Sequence, residues 1–68
     1  MRKWLKDLRE SKGLTQKVIS ASLGLNQPAY SMIENGDRQK KMSIEFADKL
    51  SKVLGVPIDT ILKNEKGN

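Results

Sequence analysis

Apolar residues recur at steps of three and four along nearly the whole chain, and no stretch alternates as a strand would. Ile19 and Leu23 stand four apart and share one helical face; Tyr30 and Ile33, three apart, repeat the arrangement in a second segment. Between them lies Gly24-Leu25-Asn26-Gln27. Gly24 suits the left-handed residue that closes a helix, Leu25 can drop into a core, and Asn26 can cap the next helix. Two helices joined by so short a turn must cross steeply, which demands a small residue where they touch, and Ser20 stands at that point. The segment therefore reads as a helix-turn-helix.

The same rhythm predicts three more helices. The first covers about residues 2–12, with Trp4, Leu5 and Leu8 inward and Gly13 just past its end. Leu14 then plugs the core, and Thr15 caps the second helix, about 16–23. The third covers about 27–35, with Pro28 in the first turn, where a missing N–H is harmless, and Gly36 closing it. Ser43 caps a fourth helix, about 44–54, with Ile44, Ala47, Leu50 and Leu54 on one stripe and Phe46 beside it. Gly55 ends that helix, and Pro57 opens a short fifth around 58–62. The expected architecture is all-α, a compact bundle of five short helices around a central helix-turn-helix. Residues 1–63 form the domain and residues 64–68 a flexible tail. There are no repeats, low-complexity segments or internal linkers.

Composition narrows the chemistry. Sixty-eight residues allow one domain, and a domain of this size buries only ~60% of its unfolded surface, so its packing must be efficient. The chain has no cysteine and no histidine. This excludes disulfides and thiolate metal sites, and removes the commonest general base and zinc ligand. The carboxylates are scattered along helix faces without a pairing suited to acid–base work, so no enzyme is expected, nor any cofactor or metal. No apolar run approaches a membrane span, and Met1-Arg2-Lys3-Trp4 lacks the stretch of a signal peptide, so the expected compartment is the cytoplasm, with no membrane partner. Thirteen basic residues against eight acidic ones give a net charge of +5, which fits a polyanionic partner. The surplus gains meaning from location, because Arg38-Gln39-Lys40-Lys41 directly follows the second helix of the motif.

The chain resembles the phage-repressor helix-turn-helix proteins, the Xre or Cro/repressor family. The resemblance rests on Gln16, the small residue at Ser20, Gly24, and the apolar set Ile19, Leu23, Leu25, Tyr30 and Ile33. It extends to the Ile33-Glu34-Asn35-Gly36-Asp37-Arg38 run and to Leu50-Ser51-Lys52-Val53-Leu54-Gly55-Val56 with residues 58–62 behind it. It covers roughly residues 5–62 and implies a lambda-repressor-like DNA-binding domain. Three departures stand out. Pro28 occupies a position where many relatives carry a polar base-reading residue, Ser20 replaces the usual alanine, and the loop after Arg38 lacks the usual proline.

In such a motif the second helix enters the major groove of duplex DNA. With Tyr30 and Ile33 turned inward, Gln27, Pro28, Ser31 and Met32 form its outer face. Gln27 can offer its carboxamide to adenine N6 and N7. Pro28 can touch a thymine methyl or simply pre-set the helix, Ser31 reads bases weakly, and Met32 either meets a thymine methyl or packs on the fourth helix. No Arg or Lys lies on this face. Gln16, at the positive end of the second helix, is suited to phosphate, with Lys17 beside it; in relatives the residue at this position also braces the glutamine that here is Gln27. Asn35, Arg38, Lys40 and Lys41 form a basic loop at the other edge. Glu34 lies at the disfavoured negative end of its helix and calls for a cation; the resemblance supplies Arg9, giving an expected structural clamp. Ile58, Ile61 and Leu62 cover the core or contribute to a dimer seam. The expected function is sequence-specific transcriptional regulation, as a repressor dimer on an inverted-repeat operator, with an antitoxin-like or adaptor module on the same fold as the alternative. Such an adaptor, or a regulator controlled from outside, would have a regulatory protein partner.

Overall fold

A computed structural model describes residues 1–67. Five helices follow in order, α1 (Lys3–Ser11), α2 (Gln16–Ser22), α3 (Gln27–Asn35), α4 (Ile44–Leu54) and α5 (Ile58–Lys66). Three helix starts are closed by the side chains suited to the task. Thr15 Oγ1 accepts from Val18 N at 3.1 Å, Asn26 Oδ1 from Ala29 N at 2.8 Å, and Ser43 Oγ from Phe46 N at 3.1 Å. Pro28 sits in the first turn of α3, where its ring removes no hydrogen bond.

The turn between α2 and α3 is a Schellman closure. Gly24 adopts φ +72°, Gly24 N donates to Ala21 O at 3.1 Å, and Leu25 N donates to Ser20 O at 2.9 Å. This geometry folds Leu25 back onto the core. Ser20, only 2% exposed, lies at the crossing, and its hydroxyl donates within its own helix to Lys17 O. α3 ends in the same way at Gly36, φ +87°, with Asp37 N donating to Met32 O at 2.8 Å. Here the residue after the glycine is polar rather than apolar, and the chain leaves the core to form the loop that precedes α4.

One cluster formed by all five helices makes the core: Leu5, Ile19, Leu23, Tyr30, Ile33, Ala47, Leu50, Leu54 and Ile61. Trp4, Leu8, Leu14, Phe46, Ile58 and Leu62 pack around it, half-buried. Two expectations need correction. Ile44 is not part of the inward stripe of α4; it is 69% exposed. It lies about a quarter-turn from the centre of the Ala47–Leu50–Leu54 face, so Phe46 and Met42 cover this end of the core instead. The fifth helix does not stop at Leu62. It runs to Lys66, so Asn64, Glu65 and Lys66, read above as tail, are helical; Asn68, also assigned to that tail, lies outside the described residues.

Candidate nucleic-acid interface

At the centre of the motif is a buried carboxylate. Glu34, on the inner side of the last turn of α3, is 2% exposed. Arg9 Nε, from α1, donates to its Oε2 at 2.6 Å, and Tyr30 Oη donates to the same oxygen at 2.6 Å. Gln16 Nε2, from the first turn of α2, donates to Oε1 at 3.1 Å. Arg9 Nη1 in turn donates to Leu14 O at 2.7 Å, in the turn before α2. One carboxylate thus ties together α1, the start of α2 and the body of α3. Burial pushes the Glu34 carboxyl up, but the hydrogen bonds from Arg9, Tyr30 and Gln16 outweigh it, and the group is held below the usual carboxylate range. Burial and the bond to Glu34 push the Tyr30 phenol far above its ordinary value. The Arg9 guanidinium is stabilised in its charged form by its bond to Glu34, which outweighs its own desolvation.

The Gln16 carboxamide donates to Glu34, and no hydrogen bond between Gln16 and Gln27, the brace implied by the resemblance, is present among the described residues. Gln16 remains half-buried at the α2 start with Lys17 exposed beside it. On α3, Gln27, Pro28 and Met32 are exposed and Ser31 is half-buried, while Ala29, Tyr30, Ile33 and Glu34 face inward. Asn35, Arg38, Lys40 and Lys41 are all exposed, at the end of α3 and in the following loop. Along the chain, the outward α3 face is preceded by the α2 start with its exposed cation Lys17 and followed by the basic loop. The seam assignment changes. Ile61 is completely buried in its own core and has no surface left for a partner, whereas Ile58 and Leu62 are half-buried.

Sequence reasoning missed Arg2. It is 5% exposed, and its backbone N donates to Glu34 O at 2.7 Å. Its side chain reaches the end of α3, the basic loop and Glu65 of α5. A cation beside the start of a helix carries no signal of such a role, since its partners are as many as 63 residues distant. Gln39 was also missed. It is in the left-handed region, φ +52°, a conformation that disfavours a non-glycine residue by roughly 1–2 kcal/mol.

The helix-turn-helix family model matches residues 5–61. The chain belongs to the helix-turn-helix family. Membership assigns it to the DNA-binding regulators rather than to the enzymes. Among curated proteins it is similar to an uncharacterized HTH-type transcriptional regulator, YqaF, of Bacillus subtilis (strain 168), 42% identical over 55 residues, 81% of this chain and 70% of that protein. A second B. subtilis regulator, YqaE, also uncharacterized, is 36% identical over 61 residues, covering 90% of this chain and 51% of its own length. The cryptic phage CTXphi transcriptional repressor RstR of Vibrio cholerae is 30% identical over 64 residues, 94% of this chain and 56% of the repressor. The chain thus spans about half the length of the last two. No solved structure matches it significantly. Among the described residues no group of His, Cys, Asp and Glu side chains could hold a metal ion, and no helix is long and apolar enough to cross a membrane.

Proposed function

We propose that this helix-turn-helix domain is a sequence-specific transcriptional regulator that binds duplex DNA as a two-fold dimer on an inverted repeat and acts as a repressor. The observation that carries the reading is the Glu34 hub. It fixes α3 against α1 and the α2 start while leaving Gln27, Pro28 and Met32 exposed between Gln16/Lys17 and Arg38/Lys40/Lys41. A rigid helix with an exposed, uncharged face flanked by cations suits division of labour: the flanks attract phosphate and the helix reads bases. The likeness to a phage repressor supports the repressor role. Dimerisation follows from size, because one short helix reads too few base pairs for useful specificity. Two copies on one face of DNA stand roughly 10 bp apart. Ile58 and Leu62 of α5, half-buried on the protomer, are the seam that remains after Ile61 is removed from it.

A salt titration of variants on preferred and scrambled duplexes tests the assignment. Preferred sites come from selection out of random DNA, which also reveals half-site spacing. If about three cations per subunit meet phosphate, a dimer releases about six counterions and the slope of log K against log[salt] is near −5. Lys40→Ala combined with Lys41→Ala weakens binding to both duplexes alike and flattens that slope. Gln27→Ala leaves the slope unchanged and loses roughly 1–3 kcal/mol on the preferred duplex alone. Equal weakening of both duplexes by Gln27→Ala would remove Gln27 as base reader, and a single half-site bound by one chain at full affinity would remove the dimer. Failure of the unaltered protein to bind any duplex at low salt would favour the adaptor reading.

A further inference from the structure

Arg2 uses all of its donors. Nε donates to Glu65 Oε1 at 2.6 Å and Nη2 to Glu65 Oε2 at 3.0 Å, a two-pronged grip on α5. Nη1 donates to Ile33 O at 2.5 Å and to Arg38 O at 3.1 Å, and Nη2 also donates to Gln39 O. These five bonds match the five N–H donors of a guanidinium. Two of the acceptors, Arg38 O and Gln39 O, belong to the basic loop, and a third, Ile33 O, to the last turn of α3.

Apart from Arg2, the loop is held at its start, where Asp37 N and Arg38 N donate to Met32 O at 2.8 and 3.2 Å, and it has no apolar anchor. Arg38, Lys40 and Lys41 are exposed, and none of residues 36–41 belongs to the apolar core. An open cleft of about 180 Å³, lined by Met1, Arg2, Gly36, Lys40 and Glu65, borders it. Gln39 sits at the bend in its left-handed conformation, and its side-chain Oε1 accepts from Ser43 N at 3.2 Å. A segment with that backbone and no apolar anchor keeps one conformation only when hydrogen bonds over-determine it, and beyond Asp37 Arg2 supplies two of them, at Arg38 O and Gln39 O.

We propose that Arg2, anchored by Glu65, is a positioning residue of the DNA interface, holding residues 38–41 in the conformation that presents Arg38, Lys40 and Lys41 to phosphate. The inference rests on the DNA-binding reading above. Arg2 itself is too buried to be a phosphate contact. Its effect is to remove disorder from three cations before DNA arrives, so that ordering them does not oppose binding.

Arg2→Lys separates charge from geometry, because lysine keeps the positive charge but has three donors and no planar fork. The test compares unaltered protein with Arg2→Lys on a scrambled duplex across a salt series, and follows amide order at residues 38–41 by nuclear magnetic resonance relaxation. Folding of each sample is checked through Trp4 fluorescence. The expected result is affinity at least fivefold lower, a flatter slope of log K against log[salt], and lowered order confined to the loop. A mere loss of folded protein would lower the apparent affinity but leave the slope unchanged. A variant with native slope and native loop order overturns the proposal. Where Arg2→Lys does not fold, Glu65→Gln decides instead. It leaves Arg2 in place and removes the counter-charge, and unchanged loop order in that variant overturns the anchor. Unaltered protein that binds no duplex defeats the DNA reading, whereas normal binding by both proteins with equal slopes defeats this inference alone.

Discussion

Glu34 accepts hydrogen bonds from three residues and is buried with its arginine partner. Removing one member of such a pair leaves the other charged and desolvated. Arg9→Ala is therefore expected to lose on the order of 3 kcal/mol of stability, and a cycle with Glu34→Gln should show coupling above ~0.5 kcal/mol; simple additivity would mean the two side chains act independently. The same cluster sets a pH dependence at both extremes. The Glu34 pKa is lowered on folding, so the unfolded chain binds more protons as pH falls. The stabilisation is fully present above the ordinary value near 4.5 and is lost as pH drops through the folded pKa. The Tyr30 pKa is raised, so its stabilisation is fully present below its ordinary value of 10.0 and declines as pH rises beyond it. Thermal melts followed by Trp4 fluorescence should fall off at both ends. Glu34→Gln should flatten the acid limb and Tyr30→Phe the alkaline one.

The short turn at Gly24 packs α2 directly against α3. Ser20 lies buried at their crossing, and its hydroxyl is satisfied inside its own helix by Lys17 O at 2.9 Å. The position therefore requires small volume rather than a hydroxyl. Ser20→Ala removes the hydroxyl, leaves Lys17 O within its helix and gains helix propensity, so stability should be unchanged or higher by up to ~0.5 kcal/mol. Ser20→Leu should lose about 1–3 kcal/mol by overpacking and, by changing the crossing of α3, should weaken binding to the preferred duplex as well. Urea midpoints at constant slope read the first effect, and duplex titration at a temperature where the variant is folded reads the second. A Leu variant as stable as the parent would show that the helices do not touch closely there.

All five helices share one apolar cluster, and a chain of 68 residues has little to spare. Ile61 is the contribution of α5 to that cluster, completely buried, whereas Ile58 on the same helix is half-buried. Ile61→Ala should cost about 2–5 kcal/mol, comparable with the whole stability of many small domains, which starts at roughly 5 kcal/mol. Ile58→Ala should cost clearly less. Circular dichroism melts of the two variants distinguish them, and equal midpoints would contradict the packing of α5. Because α5 also carries Glu65, the Ile61 variant is expected to loosen the basic loop while leaving the Gln27 face unaltered in composition.

Much of the fold was legible along the chain. The three- and four-residue spacing identified five helices, α3 and α4 were bounded correctly, and Thr15, Asn26 and Ser43 were recognisable as caps. These are local signals, because a helix face, a cap and a left-handed glycine each involve residues within a turn or two of one another. Pairing Arg9 with Glu34 came from family resemblance rather than from spacing, and several features escaped reading, the left-handed Gln39 among them. Ile44 fits the periodicity but lies beyond the edge of the buried stripe, an outcome set by where neighbouring helices stop. Residues 63–66 show no apolar rhythm, yet they are helical, with Glu65 held by Arg2 from the opposite end of the chain. Gln16 donates to Glu34, a partner no local pattern pointed to, because the packing of α2 on α3 brings that carboxylate within its reach. Periodicity records which residues share a face, whereas the approach of residues 18, 25 or 63 positions apart depends on how the helices are oriented against a common core, and no local pattern encodes that orientation.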